Sequence, residues 1–120
     1  MGVDVNAVHY LEIVTPDVEA ARRLYSAAFG WRFESPMTEL GNAVVAALPG
    51  GSLCGIRAPL HAEETPVVRP YVRVADLEAA TREAERSGAK VLLESMDLAG
   101  WGRITIVELG GIQQGLWQVD

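Results

Sequence analysis

The hydrophobic and polar positions of the chain follow the same succession of patterns twice. In the first half, residues 8–14 have the composition of a strand, and a helical apolar spacing runs from Asp17 to Gly30. Asp17 predicts the start of that helix and Gly30 its end. Turn residues then separate three predicted short strands, at 31–35, 43–48 and 52–58.

The second half repeats this order after residue 67. A strand is predicted at 68–74, a helix from Leu77 to Ser87–Gly88, and three strands at 90–94, 103–109 and 112–119. The helix starts Asp-Val-Glu-Ala-Ala at 17 and Asp-Leu-Glu-Ala-Ala at 76 match at an offset of 59, nearly half the chain. We therefore predict one α+β domain over residues 1–120. It consists of two βαβββ modules, at about 7–58 and 68–119, and a polar linker at about 59–67.

Composition narrows the possible partners. The chain has 120 residues, a net charge of −6 and a pI near 4.9, so we expect neither nucleic acid nor anionic membranes as partners. Its single cysteine, Cys54, excludes an intrachain disulfide and favours a reducing cytoplasm, where we expect Cys54 to act as a small buried hydrophobe. No apolar run is long enough for a membrane span, and residues 1–8 lack the pattern of a secretory signal. A small molecule is the expected partner.

Side-chain alternation along the predicted strands separates a polar face from an apolar one. Leu11, Ile13, Val72, Val74, Ile112 and Leu116 share the face that we expect the helices to cover. The opposite face collects most of the polar and aromatic strand residues: Tyr10, Glu12, Val14, Leu53, Gly55, Arg57, Arg69, Tyr71, Arg73, Gln113, Gly115 and Trp117. Such a division is typical of a sheet that is curled around a wet or ligand-filled cavity.

The residue types of the polar face suggest ligand contacts. Arginine donates to carboxylate or phosphate oxygens, and aromatic rings stack on flat ligands. In addition, Gly100-Trp101-Gly102 would place an indole at the cavity mouth or form a turn with one exposed aromatic ring. The predicted ligand-binding residues are Tyr10, Arg57, Arg69, Tyr71, Arg73, Trp101 and Trp117. In the alternative interpretation, Glu12 pairs with Arg69 or Arg73 across the two modules and nothing binds.

Several segments together resemble a known superfamily. They are residues 12–17 (Glu-Ile-Val-Thr-Pro-Asp), Leu24-Tyr25, Phe29-Gly30-Trp31, and Gly102-Arg103 through Leu116-Trp117-Gln118. The sequence resembles the vicinal oxygen chelate superfamily, which includes glyoxalase I, extradiol dioxygenases and bleomycin-resistance proteins, and in particular its glyoxalase-like, hydroxylase-like branch. The resemblance implies a half-open barrel around a cavity, a homodimer, and, in the metal enzymes, His, Gln or Glu ligands on the first and last strand of each module.

The positions that carry those ligands in the family hold other residues here. They correspond to Tyr10, Gly55, Arg69 and Gly115. Glycine has no side-chain donor and arginine stays protonated, so this set does not suit a transition metal. We therefore expect no metal cofactor, and expect the two glycines to enlarge the pocket. Alternation places His9 on the face of Leu11 and Ile13, away from the cavity, as an ordinary core or edge histidine. The disfavoured alternative is that a β-bulge turns His9 inward to bind a divalent metal.

Three functions remain open from the sequence. The first is a small-molecule-binding protein, for sequestration or resistance. The second is a lyase, isomerase or oxygenase in which Glu12 is the general base and Arg69 or Arg73 stabilises an enolate-like anion. The third is a non-catalytic interaction module with an empty barrel.

Overall fold

The protein folds into a seven-stranded mixed sheet that carries two helices, and the computed structural model describes residues 2–120. The elements in chain order are β1 (Val8–Val14), α1 (Val18–Phe29), a 3₁₀ turn (Thr38–Leu40), β2 (Val44–Ala47), β3 (Leu53–Arg57), β4 (Val67–Arg73), α2 (Leu77–Arg86), β5 (Lys90–Leu98), β6 (Gly102–Leu109) and β7 (Ile112–Gln118). The predicted α+β class is confirmed.

The two halves of the chain meet at the centre of the sheet. The strand order is β2-β3-β1-β4-β7-β6-β5, and the central pair, β1 and β4, is antiparallel. Within each half the first strand pairs in parallel with the last, β1 with β3 and β4 with β7. The predicted succession of strand, helix and strands therefore gives two related half-sheets joined edge to edge.

Both helices begin and end where the sequence predicts. The carboxylate of Asp17 accepts a hydrogen bond from the amide N–H of Ala20 at 3.2 Å. The carboxylate of Asp76 accepts one from the amide N–H of Ala79 at 3.0 Å. These bonds satisfy amides that the first helical turn leaves free. Gly30 ends α1 with φ of 74°, a conformation that glycine adopts without steric cost.

The strand predicted at residues 31–35 is wrong. Only isolated bridges form there, between Phe33 and Ala46 and between Met37 and Ala43. Trp31 stacks on Tyr25 of α1, with ring centroids 5.5 Å apart. Pro36 has no amide to donate, so it cannot add to a ladder. The corresponding strand of the second half, β5, is longer than predicted and pairs with β6.

The predicted separation of faces is confirmed for most apolar residues, but not for Ile112, which is 70% exposed. Ile13, Cys54 and Ile56 form a buried cluster with residues of α1, including Val18 and Ala21. Val74 and Leu116 pack with Leu77 and Ala80 of α2. A third cluster, on the other face, contains the aromatic side chains of Tyr10, Tyr71 and Trp117. Cys54 is fully buried, as expected.

Among residues 2–120, no helix has the length and apolar character that crossing a membrane requires.

Candidate functional site

A cavity of about 700 Å³ opens on the concave face of the sheet. Both half-sheets and the linker contribute to it. Its lining includes a polar floor (Tyr10, Glu12, Arg57, Arg69, Tyr71, Gln113), an apolar wall (Leu92, Leu93, Met96, Leu98, Ile104, Ile106, Trp117) and a rim around Glu39, Leu40, Gly41 and residues 60–67.

The apolar wall comes from the second half of the chain. Alternate residues of β6, Ile104 and Ile106, are buried in the aromatic cluster, and Leu93 of β5 packs against them. Leu92 and Met96 remain 43% and 41% exposed. Apolar side chains at a cavity surface gain free energy when a ligand removes them from water. The wall therefore favours a ligand with an apolar body.

Glu12 is the centre of the polar floor. Its Oε1 accepts hydrogen bonds from Arg69 Nη1 and from Tyr71 Oη, the latter at 2.8 Å, and its Oε2 accepts one from Arg57 Nε at 2.9 Å. Glu12 and Arg69 lie directly opposite each other on β1 and β4. The interpretation in which Glu12 pairs with Arg69 across the two modules therefore describes the contact that the structure shows. Three of the roughly four acceptor sites of the carboxylate are engaged.

Arg57 has a second carboxylate partner, Glu64 of the linker. Arg57 Nη1 and Nη2 donate to the two oxygens of Glu64 at 2.9 and 2.6 Å, in the fork geometry that strengthens such pairs. The hydrogen bonds from Arg57 lower the pKa of Glu64 to about 2. The sequence placed Glu64 in a polar loop and missed this contact. The sequence did contain one signal for this contact. The predicted floor had three arginines and only one glutamate, and this excess of positive charge called for a further carboxylate.

Arg69 is fixed by Gln113 as well as by Glu12. Its Nε and Nη2 donate to Gln113 Oε1 at 3.0 and 2.7 Å. Two carboxylates, Glu12 and Glu64, thus balance two guanidinium groups, Arg57 and Arg69. The floor has no cation in excess, so its arginines do not provide the anion site that their number suggested.

Two tyrosines fill the space above two glycines. A Cβ atom on Gly55 would lie 1.6 Å from Tyr10 Oη, and one on Gly115 would lie 2.1 Å from a ring carbon of Tyr71. The expectation that these glycines enlarge the pocket is therefore wrong, because each admits a tyrosine ring instead. Burial raises the pKa of both phenols, so both stay protonated at neutral pH.

Two of the predicted ligand-binding residues lie outside the cavity lining. Arg73, at the end of β4, donates to the carbonyl of Val3 at 2.7 Å and so holds the N-terminal segment. The carbonyl of Trp101 accepts the indole N–H of Trp117 at 2.8 Å, and the Trp101 ring packs against the edge of the aromatic cluster. The other five, Tyr10, Arg57, Arg69, Tyr71 and Trp117, line the cavity together with Glu12.

The prediction that His9 shares the face of Leu11 and Ile13 is wrong, although His9 does lie outside the cavity lining. The pairing of β1 with β4 shifts by one residue between Val8 and Tyr10, which is a β-bulge. A bulge changes the alternation of side chains, and the His9 ring lies edge-on to Trp117 with centroids 5.1 Å apart. Its Nδ1 is buried without a hydrogen-bond partner in residues 2–120. Burial and the nearby Arg73 lower the pKa of His9.

The donor set of the floor does not suit a divalent metal. Among residues 2–120, no three His, Cys, Asp or Glu side chains come together as ligands. Glu12, the carboxylate nearest the family's ligand positions, is held by two guanidinium groups that would repel a cation. The position of a second carboxylate, residue 115, is covered by the Tyr71 ring. Three donors already engage Glu12, which leaves it at most one acceptor site for an ion.

Comparison with known proteins agrees with the fold. The family model for the N-terminal part of bleomycin-resistance-like proteins matches residues 8–47. A glyoxylase-like domain-containing protein of Didymella fabae is 30% identical over 97 residues, which are 73% of each chain. The protein named "Putative glyoxylase CFP32" of Mycobacterium bovis is 28% identical over 118 residues, 93% of this chain. This chain spans 45% of the length of that relative.

Solved structures share the architecture at lower identity. A methylmalonyl-CoA epimerase of Mycobacterium tuberculosis superposes with a TM-score of 0.74 at 20% identity, over 100% of this chain and 92% of its own. A hypothetical protein of Bacillus halodurans gives a TM-score of 0.77 at 11% identity, over 98% and 96%. The sheet and its cavity define a protein with the glyoxalase and bleomycin-resistance fold. The chain belongs to the vicinal oxygen chelate superfamily.

Proposed function

We propose that this protein binds a small molecule without a metal ion, in a sequestration or resistance role. One observation carries the proposal. A cavity of about 700 Å³ has an extended apolar wall, whereas the charged groups of its floor neutralise one another. Its volume lies in the range typical of small-molecule pockets, and so does the combination of an apolar lining with a few polar groups.

The paired charges of the floor argue against the anionic ligand that the arginines of the sequence suggested. Arg57 and Arg69 are each bound to a carboxylate, so an anionic ligand would have to displace Glu12 or Glu64 from a short contact. Glu39 and Glu63 at the rim add negative charge. Binding that depends on the apolar wall requires no such exchange. We therefore favour a ligand that is held mainly by its apolar surface.

Thermal denaturation with a compound library tests the binding role. A ligand that binds only the native state raises the melting temperature with its concentration. We expect apolar and aromatic compounds to produce such shifts, equally with and without a chelator such as EDTA. Leu93→Ala and Ile106→Ala, which remove wall side chains, should weaken them. No stabilising compound in any class would count against binding, and about one tightly held transition metal per chain by plasma mass spectrometry would contradict metal independence.

We also propose that the protein forms a homodimer through α1. None of its residues is buried, and Leu24 and Phe29 are 59% and 60% exposed. Phe29, Tyr25 and Trp31 form an aromatic patch beside Leu24. Such apolar surface is typical of an interface. Light scattering should give the mass of two chains, and Leu24→Glu should reduce it to one.

An isomerase is the alternative function, favoured by the fold of the methylmalonyl-CoA epimerases. One such structure holds 2-nitronate-propionyl-CoA. Glu12 Oε2 accepts a single hydrogen bond, which leaves one acceptor site for a substrate proton. Exchange of the C2 proton of methylmalonyl-CoA in deuterated water, followed by NMR, tests this role. Exchange that disappears in Glu12→Gln would support catalysis, and no exchange by the wild type would remove this candidate substrate.

A further inference from the structure

The polar floor keeps one buried group that none of the internal contacts uses. Tyr10 is 3% exposed, yet within residues 2–120 its hydroxyl has no hydrogen-bond partner. Tyr71, its neighbour across the β1–β4 pair, donates to Glu12 instead. Tyr10 belongs to the cavity lining, so its hydroxyl is free to donate a hydrogen bond to a bound acceptor.

The position of the Tyr10 ring is set by its surroundings. Its hydroxyl lies against Gly55, where a Cβ would approach to 1.6 Å, and its ring packs on Trp117 with centroids 5.1 Å apart. These contacts hold the ring between the polar floor and the apolar wall. Burial raises the pKa of Tyr10, so the phenol carries its proton and can donate it in a hydrogen bond.

Gln113 provides a second donor in the same lining. Both hydrogen bonds from Arg69 go to its Oε1, which fixes the orientation of the amide. The amide nitrogen therefore points away from Arg69, and the structure gives it no acceptor in residues 2–120. Like the Tyr10 hydroxyl, this group is uncharged. The charged groups of the floor are already paired, so the donors that remain for a ligand are neutral ones.

We propose that the cavity selects an uncharged ligand with an apolar body and a carbonyl-type acceptor, which Tyr10 Oη and Gln113 Nε2 bind by hydrogen bonds. This inference rests on the proposed binding function and adds the ligand class to it. An uncharged ligand can accept from these donors and leaves the Glu12–Arg69 and Arg57–Glu64 pairs intact. An anion would approach the acidic rim, and a cation would find no unpaired carboxylate in the floor, because Glu12 and Glu64 are bound to Arg57 and Arg69.

A series of probes of nearly equal shape separates these possibilities. Acetophenone has the proposed acceptor, α-methylstyrene replaces its oxygen by a methylene group, and benzoate and benzamidine carry opposite charges. Affinities are measured by NMR titration of the indole N–H signals. A neutral hydrogen bond contributes about 0.5–1.5 kcal/mol, so acetophenone should bind about two- to tenfold more tightly than α-methylstyrene.

Substitutions assign the effect to the two donors. Tyr10→Phe keeps the ring and removes the hydroxyl, and Gln113→Glu keeps an oxygen for Arg69 and removes the amide donor. Each substitution should weaken acetophenone binding about two- to tenfold. Tyr10→Phe should leave α-methylstyrene binding unchanged. Tyr25→Phe, on α1 outside the cavity, is the matched control and should change neither. Circular dichroism and the melting temperature verify that each variant is folded.

Each outcome supports or overturns the ligand class. If both neutral probes bind equally, and Tyr10→Phe changes nothing, the class is wrong but the binding function stands. If benzoate or benzamidine binds more tightly than acetophenone, the ligand is charged and the inference fails. If none of the four probes binds, the inference fails, and so does the proposal that the apolar wall binds small apolar molecules.

Discussion

The two halves of the sheet share a topology but differ in how completely each is built. In the second half, α2 packs on β5, β6 and β7, and it buries Leu77 and Thr81. In the first half, α1 contacts mainly β3 and buries none of its own residues. The second half also has a nine-residue outer strand, β5, where the first has only bridges at Phe33 and Met37. The second half therefore supplies the apolar wall of the cavity, and the first leaves an apolar helix face uncovered.

At the centre, equivalent positions of the two halves carry complementary chemistry. Residues 59 apart in sequence occupy matching places on β1 and β4, so Glu12 corresponds to Tyr71, and Tyr10 corresponds to Arg69. Glu12 and Tyr71 each lie beside a glycine of the last strand, Gly55 and Gly115. A carboxylate from one half thus meets a cation and a phenol from the other. The two related halves are therefore joined by an asymmetric network of hydrogen bonds and ion pairs.

The largest effect is expected when the shared network loses its carboxylate. Glu12→Ala leaves Arg69 Nη1, Tyr71 Oη and Arg57 Nε without their acceptor. Breaking a buried ion pair on one side costs about 3–5 kcal/mol, and urea denaturation measures the loss in free energy of unfolding. Arg22→Ala, which breaks an exposed pair with Glu19, is the control and should cost less than about 1 kcal/mol. Equal effects would mean that the network does not stabilise the junction.

Truncating one leucine in each helix tests the difference in packing. Leu77→Ala on α2 removes a side chain that is 1% exposed and should cost about 2–5 kcal/mol in urea denaturation. Leu24→Ala on α1 removes one that is 59% exposed and should cost less than about 0.5 kcal/mol in a monomer. If Leu24→Ala instead costs as much as Leu77→Ala, and the cost depends on protein concentration, the face of α1 is covered by a second chain.

The glycines that lie under the two tyrosines should respond differently to rescue. Gly55→Ala and Gly115→Ala each overpack the floor and should cost about 1–3 kcal/mol. At Gly55 the nearest atom is the hydroxyl of Tyr10, at 1.6 Å, with the ring carbon Cζ at 2.5 Å. At Gly115 the three nearest atoms are all ring carbons of Tyr71.

Adding Tyr10→Phe to Gly55→Ala should therefore recover part of the lost free energy of unfolding. Adding Tyr71→Phe to Gly115→Ala should recover none, because the ring remains and Glu12 loses a donor. Urea denaturation of the single and double variants measures both recoveries. The same recovery in both halves would show that the two rings do not pack as the structure indicates.

The sequence predicts the regular part of this molecule well because local rules govern it. Asp17 and Asp76 cap the helices, turn residues bound the strands, and alternation places Glu12, Arg57, Arg69 and Trp117 on the cavity face. Alternation fails at His9, where one extra residue in β1 changes the face, because nothing in the sequence marks a bulge without its partner strand.

Contacts between distant segments explain the other misses. Glu64 reaches Arg57 from a loop whose path depends on both modules. The Tyr10 ring over Gly55 and the Tyr71 ring over Gly115 depend on strand register, which single-strand patterns do not specify. The sequence therefore identifies the residues of the floor but not which of them neutralise one another.

The smallest predicted effect concerns the linker, which belongs to neither half. Arg57 lowers the pKa of Glu64 to about 2 from an ordinary 4.5, so the folded protein binds that proton less readily than the unfolded chain. The contribution of Glu64 to stability is therefore complete above about pH 4.5 and is lost as the pH falls towards 2. The stability advantage of the wild type over Glu64→Gln should shrink between pH 6 and pH 3 in urea denaturation. The Glu64 side chain is only 13% exposed, but it lines the open cavity, so solvent screening should reduce the change to about 1 kcal/mol. Glu78→Gln, which breaks an exposed ion pair with Arg103 in the second half, is the matched control. If the stability advantage of the wild type over Glu64→Gln stays constant with pH, the ion pair between Glu64 and Arg57 does not stabilise the protein.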